Sequence, residues 1–160
     1  MEYEDVIRDF ALRTRINLEY IEREVSIDST EPEVYEVTQL VNSLLGLIVF
    51  PREEYMSRLP QAQTPLAELV KQGWAVPRVV EDYPQVKTLG KLIDYMRHAI
   101  SHCNIKFISN TQREITGIKL WNCEYGRPEK ITWKAELNIE ELRNLAFKFI
   151  DLIIEPEDAL

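Results

Sequence analysis

The chain contains two histidines, His98 and His102, which lie four residues apart in the stretch DYMRHAISHCNI, and Arg97 directly precedes the first. An imidazole can gain or lose a proton near neutral pH, so it can carry a proton to or from a reacting oxygen. An arginine keeps its charge and can bind a phosphate through two parallel N–H donors. These residue types in this spacing suit chemistry at a phosphate group.

One such reaction is the metal-independent cleavage of RNA by the ribose 2'-hydroxyl. His102 would move a proton to or from the 2'-oxygen or the leaving 5'-oxygen, and Arg97 would hold the scissile phosphate and offset charge on the phosphorane. Residues five apart on a straight helix point about 140° apart, so the helix must end or bend near His102, or a second subunit must unite the groups. A symmetric dimer would also supply two histidines, one as base and one as acid.

A metal site is a second interpretation of the same stretch. Asp94, His98 and His102 step by four along one helical face, and neutral imidazoles at this spacing can bind zinc or a similar ion. Such a site usually needs a further ligand, and the chain has no third histidine. We therefore rank this interpretation below RNA cleavage, and we predict neither a bound metal nor a cofactor.

The plainest interpretation assigns no chemistry at all. Arg97, His98, Ser101 and His102 also fit the solvent-exposed polar side of an amphipathic helix. The opposite side of that helix carries a narrow apolar stripe, formed by Leu89, Leu92, Ile93, Met96, Ile100 and Cys103.

The composition limits the class of protein. The chain of 160 residues is 45% apolar, which predicts one domain over residues 1–160 with a real core. The longest apolar run, residues 44–50, is too short to cross a bilayer, and the N-terminus lacks the basic region of a signal peptide. We therefore expect a cytoplasmic protein with no membrane partner. The net charge of −8 opposes nonspecific binding to duplex nucleic acid, so any nucleic-acid contact should use a small local patch.

Four helices should position the histidine stretch. Their apolar periodicity places them at about residues 3–24, about residues 30–50, after Thr88, and after Asn138. Thr30 with Glu33, and Asn138 with Glu141, fit side-chain capping of two of these helices. Residues 51–84 hold five of the eight prolines and read as an irregular excursion with one short helix at residues 65–72, capped by Thr64 and followed by Gly73.

A different period separates the last two long helices. The stretch EITGIKLWNCEYGRPEKITWKAEL has β-branched and aromatic residues on both sides of YGRPEK, which predicts a β-hairpin at about residues 114–137. The expected fold class is therefore all-α, a four-helix bundle with an appended β-hairpin.

Three blocks of sequence resemble the HEPN superfamily of small helical domains. RHAISH fits its Arg-x4-6-His motif, and EVTQLVNSLLGLIVFPREE, LIDYMRHAISHCNIKF and GIKLWN resemble, in this order, a subgroup common on plasmids and other mobile elements. The resemblance implies a homodimer whose paired motifs face each other across a cleft. It also implies either a metal-independent endoribonuclease of a toxin–antitoxin or other defence system, or an inactive relative that only binds RNA or nucleotides.

The resemblance also implies roles for particular residues. Arg97 would bind the phosphate, His102 would be the catalytic histidine, and His98 would support them at a position where the family often has asparagine. Some HEPN toxins have a tyrosine two residues after the catalytic histidine, which a partner nucleotidyltransferase modifies. Asn104 occupies that position here, so neutralisation by tyrosine modification is not expected.

Further residues near the motif complete the predicted site. Ser101 and Asn104 join His98 as supporting residues. Lys106, Arg52 and Tyr95 are candidates for RNA binding.

The sequence thus predicts a metal-independent endoribonuclease, acting as a toxin or defence effector on an RNA substrate. A homodimer and a cognate antitoxin are the protein partners that this function suggests. The alternative is a catalytically silent HEPN protein, which binds RNA or nucleotides or acts as an antitoxin-like interaction module. The net charge of −8 favours this alternative somewhat.

Overall fold

The computed structural model describes residues 2–25, 35–51, 55–56, 59–80 and 83–154. Its helices cover one face of a four-stranded antiparallel sheet, whose strand order is β1-β4-β3-β2. In chain order the elements are α1 (Tyr3–Val25), α2 (Glu36–Val49), a 3-10 helix (Pro60–Gln63), α3 (Leu66–Lys71), β1 (Arg78–Val79), α4 (Leu89–Ser101), β2 (Ile105–Ser109), β3 (Ile115–Glu124), β4 (Arg127–Asn138) and α5 (Ile139–Ile154).

The expected all-α class is wrong, because the described residues form a mixed α/β fold. The hairpin of β3 and β4 is not an appendage: β2 pairs with β3 on one side, and β1 pairs with β4 on the other. A two-stranded hairpin is only marginally stable in water, and each of its edges exposes unpaired backbone groups. Strands β2 and β1 form hydrogen bonds with part of the backbone groups at those edges. Because they have only five and two residues, they show too little alternation to be recognised in the sequence.

Side-chain caps stabilise the N-termini of two long helices. The cap of α5 was predicted, whereas for α4 only the start of the helix after Thr88 was predicted. The Thr88 side chain accepts a hydrogen bond from the Lys91 backbone N–H at 3.4 Å. At the start of α5, the Glu141 carboxylate accepts from the Asn138 N–H at 2.7 Å, and the Asn138 side chain accepts from the Glu141 N–H at 2.8 Å. This reciprocal pair satisfies N–H groups that no helical carbonyl can reach. The predicted cap at Thr30 and Glu33 lies outside the described residues.

The described part of the proline-containing excursion packs against the start of α4. The Leu66 N–H donates to the Lys87 carbonyl at 2.9 Å, and the Leu89 N–H donates to the Thr64 carbonyl at 3.1 Å. Gly90 permits this close approach, because a Cβ there would lie 2.9 Å from the Ala62 carbonyl oxygen. The excursion therefore lies at the opposite end of α4 from His102.

The short helix α3 begins one residue later than predicted. Pro65 precedes its first residue, and its N-terminus receives no side-chain hydrogen bond, so the predicted cap at Thr64 is wrong. Gly73 follows the helix with φ +82°, a left-handed conformation in which glycine is favoured.

The hydrophobic core lies between the helices and the inner face of the sheet. That face presents the buried side chains of Ile118, Leu120, Trp133, Ala135 and Leu137. The alternate side chains of β3 and β4 point away from the helices, as expected for an antiparallel sheet packed on one side. Within the described ranges, no helix combines the length and the apolar character needed to span a bilayer.

Candidate functional site

Helix α4 positions the predicted motif through its buried face. This face packs against α2 and β3 and consists of Leu89, Leu92, Ile93, Met96 and Ala99. Arg97 is half-buried, whereas His98 and Ser101 are exposed. The amphipathic pattern therefore turns the predicted polar residues away from the core, as the sequence indicated.

The helix ends at Ser101, so His102 is the first residue beyond it. The Cys103 N–H donates to the Ile100 carbonyl at 2.9 Å, and the Asn104 N–H donates to the Ala99 carbonyl at 2.8 Å. These two bonds form a Schellman motif, with Cys103 in the left-handed conformation (φ +57°) that usually belongs to glycine. The chain thus has a helix end between Arg97 and His102, which is one of the arrangements that the RNA-cleavage interpretation allows.

Cys103 does not belong to the buried stripe of α4, contrary to prediction. Cys103 is exposed, and the buried face of the helix ends one turn earlier, at Ala99. The prediction continued the helical period for two residues beyond the observed helix end. The left-handed turn at Cys103 then directs its side chain away from the core.

The two imidazoles lie against each other in one chain. The ring centroids of His98 and His102 are 4.4 Å apart, the rings are inclined by 45°, and both residues are exposed. Their spacing of four residues makes them neighbours on the helix surface. A single chain therefore places two imidazoles side by side at the end of α4, and imidazole is the side chain most often used in general acid–base catalysis.

Arg97 has no hydrogen bond or ion pair with any described residue. Arg15 and Arg143 are the other half-buried arginines in the described ranges, and both are paired with carboxylates. Arg15 binds Asp151, and Arg143 binds Glu22, Glu36 and Glu140. The donors of Arg97 are therefore available for an external anion such as a phosphate.

Tyr95 anchors α4 to the sheet. Its ring packs edge-on against the buried Trp133, with centroids 5.3 Å apart. Its backbone carbonyl accepts a hydrogen bond of 3.1 Å from the side-chain amide of Asn122, which is itself buried. These contacts give Tyr95 a packing role, and its predicted role in RNA binding stays a prediction. They also add Asn122 as a residue that holds the motif helix in place.

The remaining predicted residues lie around the end of α4. Ser101 is exposed at the last helical position, and Asn104 leads into β2, where its carbonyl accepts from the Trp121 N–H at 3.1 Å. Lys106 is exposed on β2 and pairs across the strands with Lys119. Arg52 lies outside the described residues.

The arrangement gives no support to the metal interpretation. Over the part of the chain that the structure describes, no three His, Cys, Asp or Glu side chains are grouped so that they could hold one metal ion. This includes Asp94, His98 and His102. Asp94 instead lies near Lys91, with a separation of 3.9 Å between its carboxylate and the ammonium group.

Sequence reasoning did not consider two further basic residues, which lie on the outer face of the sheet. Lys119 and Lys134 lie on the outer faces of β3 and β4, beside Trp121. The signal that could have identified them is the alternation of partly exposed and buried residues along β3, where the buried Leu120 separates Lys119 from Trp121. That alternation becomes informative only when it is known that the helices cover the other face.

The chain carries Arg-x4-His at the C-terminal end of α4, which is the motif that its sequence shares with the HEPN class. A family model described as HEPN pEK499 p136 matches residues 1–160, so the chain belongs to this plasmid-associated HEPN family. The resemblance seen in the sequence is thereby confirmed. Comparison with curated proteins and with solved structures found no match. Family membership fits a nuclease or a nucleotide-binding module, and HEPN domains commonly bind RNA and dimerise.

Proposed function

We propose that the protein is a metal-independent endoribonuclease that uses the ribose 2'-hydroxyl as its nucleophile. One observation carries this proposal: Arg97 is half-buried and unpaired among the described residues, on the same end of α4 as two imidazoles in contact. A half-buried cation with no partner is a functional candidate, because a structural role alone would favour a carboxylate beside it.

The reaction requires two proton transfers and one anion site. A neutral imidazole removes the proton of the 2'-hydroxyl, and the 2'-oxygen forms a bond to phosphorus. The bond from phosphorus to the 5'-oxygen breaks, and an imidazolium gives that oxygen its proton. Arg97 binds the non-bridging oxygens and stabilises the charge of the phosphorane. The products are a 2',3'-cyclic phosphate and a 5'-hydroxyl.

His102 is the main proton-transfer residue in this proposal, and His98 supplies the second imidazole. The centroid distance of 4.4 Å supports this assignment, because it gives a single protomer both a base and an acid. A homodimer would set two such helix ends across one cleft, bringing two sites together and limiting the access of water. The exposed position of both histidines leaves room for that second copy.

A role as a toxin or defence effector is the biological part of the proposal. Membership of a plasmid-associated HEPN family supports it. A cognate antitoxin would then cover the motif or prevent dimer formation. Asn104, which stands where some HEPN toxins have a modified tyrosine, argues against control by tyrosine modification.

The test is incubation of purified protein with RNA in excess EDTA, with Arg97→Ala, His102→Ala and Arg8→Ala beside the wild type. Arg8 is an exposed arginine on α1 and serves as the matched control. We expect cleavage by the wild type and by Arg8→Ala only, with 2',3'-cyclic phosphate ends. A requirement for a divalent ion, or products with a 3'-hydroxyl, would contradict the mechanism.

A catalytically silent RNA-binding module is the second candidate, favoured by the net charge of −8. It predicts that the wild type binds RNA without cleaving it and that His102→Ala binds equally well. Cleavage by all variants would instead point to a contaminating nuclease or to other catalytic residues.

A further inference from the structure

We propose that the outer face of the sheet is a binding platform for single-stranded RNA that leads to the end of α4. The choice of RNA as the ligand rests on the proposed function, whereas the platform itself rests on two rows of side chains across the sheet. We call these two rows the outer platform; their residues are Lys106, Lys119, Glu136 and Arg78 in the first, and Asn104, Trp121, Lys134 and Val80 in the second.

The first row crosses all four strands. Lys106 pairs with Lys119, Lys119 with Glu136, and Glu136 with Arg78. Glu136 forms ion pairs with both of its neighbours, at 2.5 Å to Lys119 and 2.7 Å to Arg78. Lys106 is exposed and has no ion pair with any described residue, so its ammonium group is available to a ligand.

The second row carries an aromatic side chain between polar ones. Trp121 is half-buried on the outer face, and Lys134 is its cross-strand partner. The row ends in Asn104, whose carbonyl accepts from the Trp121 N–H, and in Val80, whose N–H donates to the Lys134 carbonyl at 2.9 Å. Lys134, like Lys106, is unpaired among the described residues.

The charge and chemistry of the outer platform suit one class of ligand. The outer platform contains four basic side chains and one carboxylate, although the whole chain has a net charge of −8. This local excess complements a polyanion. An indole beside unpaired lysines adds a stacking surface for a base, and single strands offer unpaired bases for such stacking, which favours a single strand over a duplex.

The outer platform is continuous with the predicted catalytic end of α4. Asn104 ends the second row and follows His102 by two residues, so their backbones are at most about 7 Å apart. An RNA strand that passes over Lys134 and Trp121 toward Asn104 therefore arrives beside His102. The platform would hold the substrate on one side of the scissile phosphate.

The test measures binding without cleavage. Fluorescence anisotropy of a 5'-labelled, mixed-sequence single-stranded RNA is recorded with protein carrying His102→Ala, over a range of salt concentrations. In that background, Lys106→Glu and Lys134→Glu are compared with Lys87→Glu, an identical charge change at an exposed lysine near the start of α4. Trp121→Thr is compared with Trp121→Phe, which keeps an aromatic ring.

We expect Trp121→Thr to weaken binding by about 5- to 100-fold and Trp121→Phe to recover much of the loss. Lys106→Glu and Lys134→Glu should each weaken binding more than Lys87→Glu. Each should also lower the dependence of log affinity on log salt by about 0.7 for every phosphate that the variant no longer neutralises. Equal thermal midpoints for all variants would show that the weaker binding does not come from unfolding.

Three outcomes would overturn the outer platform. The first is failure of the charge test: either the His102→Ala parent does not bind RNA, or Lys106→Glu and Lys134→Glu weaken its binding no more than Lys87→Glu does. The second is equal binding of polyglutamate, which would indicate an acidic protein partner. The third is conversion of a dimer to a monomer by Trp121→Thr, which would make this face a subunit interface. Because the assay requires no cleavage, failure of the nuclease proposal is detected separately, with the wild type.

Discussion

Two half-buried arginines of this protein have opposite surroundings. Arg143 on α5 binds Glu22 of α1, Glu36 of α2 and Glu140 of its own helix. Arg97 on α4 has no carboxylate or carbonyl partner in the described part of the chain. The fold uses the first cation to connect three helices and leaves the second free at a helix end. The difference separates a structural charge from a candidate ligand-binding charge better than residue type or burial alone.

The electrostatics of Arg143 reflect its structural role. Burial alone would lower the pKa of its guanidinium, but the hydrogen bond and attraction of Glu36, together with Glu140, outweigh burial and raise that pKa. The charged form is therefore held firmly in the folded state. Nothing comparable in the described surroundings occupies the donors of Arg97.

The largest expected effect comes from Arg97→Ala. Loss of the phosphate donors should reduce the rate of RNA cleavage by about 100- to 1,000-fold. The free energy of unfolding should change by less than about 0.5 kcal/mol, because no described residue is deprived of a partner. Single-turnover cleavage and urea unfolding measure the two quantities. Arg97→Lys, which keeps the charge but not the bidentate geometry, should fall between wild type and alanine. If Arg97→Ala cleaved RNA normally but was clearly less stable than the wild type, Arg97 would have a structural role like that of Arg143.

Arg143→Ala should show the reverse pattern. Three carboxylates lose their shared partner, so the free energy of unfolding should fall by about 1–3 kcal/mol. Cleavage per folded molecule should stay within about twofold of wild type, since no described ion pair joins Arg143 to α4. Urea unfolding at pH 7 measures the loss, and Arg15→Ala offers a second paired arginine for comparison. Equal losses of activity for Arg97→Ala and Arg143→Ala would erase the distinction between them.

The sequence was sufficient for features that depend on neighbouring residues. The start of α4 after Thr88 and the reciprocal cap of Asn138 with Glu141 depend on residues close together in the sequence, and the contact of His98 with His102 follows from helical spacing.

Features that depend on distant parts of the chain could not be predicted in this way. Strand β1 has two residues and finds its partner, β4, more than fifty positions away. The unpaired state of Arg97 depends on which carboxylates the fold brings near it. The outer platform likewise depends on which face of the sheet the helices cover.

A third prediction concerns the end of α4, where a residue other than glycine adopts a left-handed conformation. Cys103 has φ +57°, a conformation that costs an L-residue about 1–2 kcal/mol. Glycine would remove this cost, but part of the gain would be lost because glycine gives the unfolded chain more conformational entropy. Cys103→Gly should therefore stabilise the protein by about 0.5–1 kcal/mol, as measured by urea unfolding. Cys103→Ala keeps the strained conformation and should show no such gain. A loss of cleavage in Cys103→Gly, with greater stability, would show that rigidity at this turn positions His102.

The smallest expected effect tests a structural charge on the outer platform. The hydrogen bond from Lys119, followed by that from Arg78, lowers the pKa of Glu136 despite its partial burial. A carboxyl with a lowered folded pKa stabilises the protein fully above its ordinary pKa, near 4.5, and loses this contribution as the pH falls through the folded value. Glu136→Gln should thus be less stable than wild type at pH 7, by under about 1 kcal/mol, and the difference should shrink progressively below pH 4.5. Urea unfolding at pH 7 and at successively lower pH measures it, with Glu129→Gln as an exposed control. A difference that grew as the pH fell would mean that Glu136 stabilises the sheet in its protonated form, and not as the partner of two cations.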